Sequence, residues 1–264
     1  MERNLSNTKT RITFEDIKLL LDESFDKYNN VNFIEDDPIS IPHSFEKKED
    51  IEISGFITAT IAWGNRKMII NNAKKFIQFM DNSPFDFVIN HKDNELEKLR
   101  PLVHRTFNGE DLIFFVKSLK NIYRNYGGLE KVFSSENNIK DCLSMFYEIF
   151  FSIEHAQRTQ RQLANVAAGS AAKRLNMFLR WMVRHDNRGV DFGLWKNISP
   201  ADLFMPLDVH SASTARLLEL LTRKQNDWKA VVELTNNLKK FDANDPVKYD
   251  FALFGIGVNK NVKK

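Results

Sequence analysis

The stretch AAGSAAKRLNMFLRWMVR, residues 167–184, decides how this chain is read. It opens on a turn of small residues, Gly169-Ser170-Ala171-Ala172, and runs on as a helix. Leu175, Phe178, Leu179 and Met182 recur at i, i+3, i+4 and i+7, which makes one apolar face. Lys173, Arg180 and Arg184 follow another face at i, i+7 and i+11. The apolar side is expected in the core and the basic side against an anion. Lys173 is the first charged residue, at the end of the helix whose dipole repels a cation. An amine there is expected either to meet an anion or to act as a nucleophile. Small side chains in the turn let backbone amides approach a phosphate, which a helix N-terminus favours.

The rest of the chain reads as helix after helix. Thr13 is an N-cap followed by acidic first-turn residues, and Ile17, Leu20, Leu21 and Phe25 keep helical spacing behind it. EDIEISGFITATIAW and NRKMIINNAKKFIQFM read as two helices broken near Gly64-Asn65. The first is rich in β-branched residues, but its helical neighbours decide for a buried helix. Ser83-Pro84 and Ser199-Pro200 read as helix starts, and Asp245-Pro246 as the cap of the last helix. GEDLIFFVKSLKNIYRNYG, NIKDCLSMFYEIFFSI and DWKAVVELTNNLKKF are amphipathic. The pattern predicts an all-α fold of about ten to twelve helices. Residues 1–264 read as a single domain with no flexible linker.

Composition narrows the function. Of 264 residues, 42% are hydrophobic and 28% charged, which is globular. No apolar run is long enough to cross a membrane. The opening MERNLSNTKTR has no apolar signal core, so a cytoplasmic protein is expected. The one cysteine, Cys142, excludes an internal disulfide, a cysteine-ligated zinc site and an iron–sulfur cluster; it reads as a buried, inert thiol. The six histidines show no metal-binding spacing. No metal or cofactor is expected. From residue 151 onward there are 18 Lys+Arg and 11 Asp+Glu, a net +7; the first 150 residues carry 20 and 24, a net −4. Residues 158–188 hold Arg158, Arg161, Lys173, Arg174, Arg180, Arg184 and Arg188 against one acid, Asp186. That asymmetry fits a polyanion or, equally simply, a solvated charged face.

Thirty-five residues beyond Lys173 (208 − 173) comes PLDVHSASTARLLELL, residues 206–221. Asp208 precedes an amphipathic helix with Leu217, Leu218 and Leu221 on one face, and reads as its N-cap. AAGSAAKRL and LDVHSASTARLLEL, in this order, resemble the two signature segments of the helix-hairpin-helix DNA glycosylase superfamily, with Asp208, His210 and Arg216 in step. The chain is closer still to an uncharacterised bacterial family related to that superfamily. The superfamily resemblance covers residues 50–80 and 158–258. The insert HDNRGVDFGLWKNISPADLFMP lengthens the Lys–Asp spacing, as in an archaeal 8-oxoguanine glycosylase branch. Ala168 and Ala171 depart from the hairpin's usual residues.

What this resemblance implies can be stated residue by residue. The fold is two-lobed with a cleft between lobes, the hairpin and catalytic segment at about 158–221 and a base-pocket helix at about 245–258. The activity is base-excision repair of double-stranded DNA with a damaged base, by a monomer. Lys173 is the nucleophile and Asp208 its carboxylate partner, with AP-lyase activity through a Schiff base. Asp250 and Phe254, four apart and so one helical turn, match a polar residue that bonds an oxidised purine such as 8-oxoguanine and an aromatic that stacks on it. Asn65 and Arg66 stand where a gap-filling residue enters the duplex, and Trp195 is a candidate for the cleft wall. Gly169, Ser170, Arg174, Arg180, Arg184 and His210 are candidates for the DNA backbone. Two other readings of the same residues stay open: a non-catalytic nucleic-acid-binding protein, and a helical protein-interaction module.

Overall fold

A computed structural model describes residues 12–261, with backbone only for 259–261; the amino-terminal stretch read for a signal lies outside the described residues. The fold is all-α. In chain order come α1 (Phe14–Tyr28), α2 (Asn32–Glu35), α3 (Lys48–Thr60), α4 (Arg66–Gln78), α5 (Pro84–Asn90), α6 (Asp93–Glu97) and α7 (Gly109–Asn125). Then follow α8 (Leu129–Phe133), α9 (Ile139–Phe150), α10 (Lys173–Val183), α11 (Val209–Leu217), α12 (Trp228–Leu238) and α13 (Tyr249–Asn261). These exceed the expected number because α2, α6 and α8 are single turns of four or five residues, too short to show periodicity. Two-residue strands β1 (Val103–His104) and β2 (Phe107–Asn108) form the one antiparallel pair among the described residues.

The centre is α3. Its residues from Ile51 to Thr60 are all buried, the mark of a helix surrounded by protein. Phe56 meets Phe115, Phe146, Phe150 and Phe178 at centroid separations of 5.5–5.8 Å. The apolar face of α10 packs against α3, close enough that a Cβ on Gly55 would sit 3.3 Å from Met182 Cε. The predicted break at Gly64-Asn65 is present, and Asn65 caps α4. Thr13 and Asp16 form a full capping box on α1.

The first and last described helices meet. Both α1 and α11 lie along α13, while 3₁₀ turns at Pro38–Ser40 and Pro42–Ser44 pack on α3. The core is one continuous apolar cluster, and the cleft lies between α4 and α10 on one side and α11 and α13 on the other. The segment ahead of the small-residue turn is a six-residue 3₁₀ helix, Gln157–Gln162. One sequence expectation changes. Asp245 makes no side-chain cap bond to the turn that follows it; its carboxylate is drawn instead to Arg184, 2.9 Å away.

Gly257 sets how closely α13 approaches α11. A Cβ there would lie 2.9 Å from Thr214 Oγ1 and 3.0 Å from the His210 carbonyl oxygen. Gly257→Val is expected to force the helices apart at a cost of about 1–3 kcal/mol, less roughly half a kcal/mol of recovered helix propensity. Thermal unfolding should show a fall of several degrees.

Candidate active site

The cleft has a volume of about 720 Å³, within the range of small-molecule sites. One wall is the start of α10, with Lys173, Met177 and Arg180; opposite stand Asp208, Val209 and His210 at the start of α11. Asp250, Phe251 and Phe254 come from α13, and Trp63, Gly64 and Arg66 from the junction of α3 and α4. Phe33 and Asp37 close it from the amino-terminal side. Four groups predicted from distant segments, Lys173, Asp208, Asp250 and Phe254, therefore share one cavity.

Each is held differently. Lys173 is half-buried as the first residue of α10, with Nζ 3.7 Å from Met177 Sδ; among the described residues it forms no ion pair. Before it, Ala172 is left-handed at φ 46° and no side chain caps the helix. The positive end of α10 thus opens on the cleft without a side-chain cap. Asp208 is the N-cap the sequence predicts: Oδ1 accepts the Ser211 N–H at 2.7 Å. Asp250 accepts a hydrogen bond from Arg180 Nη1. Burial, then the neighbouring Asp208 and Asp191 charges, raise its carboxyl from 3.8 to about 6 against the pull of Arg180 and Lys173. The Arg66 guanidinium lies 5.5 Å from the Phe254 ring centre, and the His210 ring stands edge-on to that ring at 6.2 Å.

Residues 37–259 match the model of a family described as a protein of unknown function, DUF2400. The chain belongs to that family. The DUF2400 match takes in all the cleft residues named above except Phe33. Comparison with curated proteins and with solved structures finds no match.

Several candidates of this DUF2400 chain are bound to internal partners. Arg180 and Arg184 face inward, not toward a DNA backbone. Arg180 Nε meets Asp191 at 3.2 Å while its Nη1 holds Asp250. Arg184 reaches Asp186 at 2.8 Å, Asp245 at 2.9 Å and Asp191 at 3.1 Å. The basic stripe of α10 is an internal ion network whose acids come from the insert and from the region of α13. Arg174 also turns inward, donating to the carbonyls of Thr60 and Gln162 and lying 4.7 Å from the Trp63 ring centre. Burial lowers it to about 10.

The turn is exposed at Gly169, but its first amides are spent on internal hydrogen bonds. Gly169 has the left-handed φ of 87°, which suits glycine, but its N–H goes to the Val166 carbonyl at 2.9 Å and that of Ser170 to the Asn165 carbonyl at 3.1 Å. The Gly169 carbonyl accepts from Trp228 N–H at 3.0 Å, tying the turn to α12. The first turn of α10 has no side-chain cap. Trp195 is 1% exposed and donates to Glu52 at 2.6 Å, so it belongs to the core and not to the cleft. Asn65 spends its Oδ1 on the Met68 N–H at 3.2 Å and lies outside the lining, whereas its neighbour Arg66 is part of it.

Trp63, Phe33 and Asp37 were missed by sequence reading. Trp63 ends an apolar run and looks like core. Asp37 precedes Pro38, where an aspartate reads as a turn cap, and it does accept the Ile39 N–H at 3.1 Å; burial also raises its carboxyl. Among the described residues no group of three or more His, Cys, Asp or Glu could hold a metal ion. No helix of the described residues is long and apolar enough to cross a membrane.

Asp250 gives stability a defined pH dependence. Its folded carboxyl titrates near 6 and its unfolded one near 3.8, so the folded state binds the proton more tightly between those values. The stabilisation is complete below about 4 and is lost as pH rises through about 6. Asp250→Asn should remove that component. Denaturation midpoints of both proteins at about pH 4.5 and about pH 7.5 check it; an unchanged pH difference would exclude the assignment.

Proposed function

We propose that the chain is a DNA glycosylase with AP-lyase activity that excises an oxidised purine of the 8-oxoguanine kind. The observation that carries this reading is that Lys173, Asp208, Asp250 and Phe254 line one cleft. They lie on three helices and across more than eighty positions of sequence, yet supply the amine, carboxylate, base-edge acceptor and aromatic face that base excision requires.

A base rotated out of the duplex would enter with one face on Phe254, whose other neighbours are Arg66 and His210. Asp250, anchored by Arg180, hydrogen-bonds its edge. Cleavage of the N-glycosidic bond leaves positive charge on the sugar, which the Asp208 carboxylate stabilises. That carboxylate is already fixed by the Ser211 N–H, so little reorganisation is needed. The neutral amine of Lys173 attacks the sugar's anomeric carbon. A C–N bond to lysine forms as the C–N bond to the base breaks, the base leaves with the bonding electrons and takes a proton, and the amine gives up its own proton to solvent. Opening of the sugar ring yields a Schiff base, from which elimination of the 3′ phosphate nicks the strand. In this reading the protein acts as a monomer on cytoplasmic DNA.

Borohydride reduction tests the reading. A duplex bearing 8-oxoguanine or an abasic site should leave a covalent protein–DNA adduct that disappears in Lys173→Gln. An adduct that persists in the variant, or none with either substrate, rejects the amine mechanism. Asp208→Asn should retain the fold, since asparagine also caps a helix, while base release falls by about 10²–10³. Single-turnover excision measures this, and wild-type rates would remove Asp208 from the chemistry.

A further inference from the structure

A second charged surface lies outside the hairpin, on α4. Its inner face is Ile69, Ala73, Phe76 and Ile77, all buried. Its outer face carries Lys67, Asn71, Lys74, Lys75 and Gln78, all exposed. The helix contains no acidic residue, and among the described residues none of these three lysines forms an ion pair. This contrasts with α10, whose buried arginines are neutralised by aspartates. The helix begins at the rim of the cleft with Arg66, which lines it. Arg105, exposed and also without an ion pair, lies beside Gly64 at the same rim.

From Lys67 to Lys75 is eight residues, about 12 Å of helix axis. That is the axial rise of three to four phosphates on one DNA strand. An unpaired cation row of this length has no internal purpose: it gives no packing and slightly repels itself, since Lys67, Lys74 and Lys75 lie on one side. The cost is recovered only against an external anion with repeated charge.

We infer that the exposed face of α4, through Lys67, Lys74 and Lys75 with Arg105 at its cleft end, is a backbone-binding track for duplex DNA that leads one strand to the cleft. The inference rests on the nucleic-acid reading of the cleft, but not on any chemistry inside it. It also explains how a protein whose Arg174, Arg180 and Arg184 are consumed internally can bind DNA, because the phosphate contacts are moved to a neighbouring helix.

The test is the salt dependence of binding to a short undamaged DNA duplex by fluorescence anisotropy. The triple variant Lys67→Gln, Lys74→Gln, Lys75→Gln should lower the log–log slope by about 2–3, at ~0.9 per lost phosphate contact. A matched control, Lys131→Gln, Lys140→Gln, Lys229→Gln, removes the same charge from exposed lysines on α8, α9 and α12 and should keep the wild-type slope. Equal slopes for the two triples, or no binding by the wild type, overturn the inference. Binding to vesicles of anionic phospholipid with none to duplex would assign the face to a membrane and overturn it as well. Borohydride trapping on a lesion duplex at low salt separates this outcome from the catalytic proposal: an adduct with no slope change rejects only the track, and a slope change with no adduct rejects only the chemistry.

Discussion

Two guanidinium groups buried along α10 are the constraint on which the rest of the structure depends. Arg180 and Arg184 are 4% and 1% exposed, and a charge so far from water is tolerated only when it is paired and hydrogen-bonded. Asp191 answers both, while Asp245 and Asp186 complete Arg184 and Asp250 completes Arg180. Removing one partner of a buried pair typically costs about 3–5 kcal/mol. The insert after α10 and the start of α13 are therefore obliged to fold back onto α10. Phe251 lies 4.3 Å under the Arg180 guanidinium and reinforces that closure.

The cleft is a by-product of this closure. Arg180 has two carboxylates, one buried in the insert and one on the cleft wall. Asp250 consequently faces the cavity with a carboxyl raised by burial yet restrained by a cation. Lys173 lies two turns earlier on the same helix and, among the described residues, forms no direct ion pair, feeling Asp250 and Asp37 only across the cleft. The network thus separates the cations of α10 into two kinds: those spent on holding the fold, and one left available at the helix start.

Local rules gave a good account of the helices and their ends. Thr13, Asn65 and Asp208 behave as caps because an N-cap depends on residues within one turn of itself. The β-branched segment of α3 was legible only through its neighbours: Ile53, Ile57 and Thr58 favour strands intrinsically, and burial on all sides overrides that preference. The site was legible in part. Lys173 shows itself by its place at a helix start, whereas Asp208, Asp250 and Phe254 were singled out through the family resemblance. Trp63 and Asp37 have no such signature, since their role comes from segments that meet them in space.

Sequence alone determined the all-α class, the apolar face of α10 and the caps, because all of these follow from periodicity and from contacts within a turn. Tertiary structure alone decided where charge goes. A basic row at i, i+7 and i+11 reads the same whether it faces phosphate or buried aspartate, and only the return of the insert and of α13 brought Asp191, Asp245 and Asp250 to meet Arg180 and Arg184. Long-range Coulomb partners leave no periodic trace in a chain, so the destination of a charged face is set by folding and cannot be read before it.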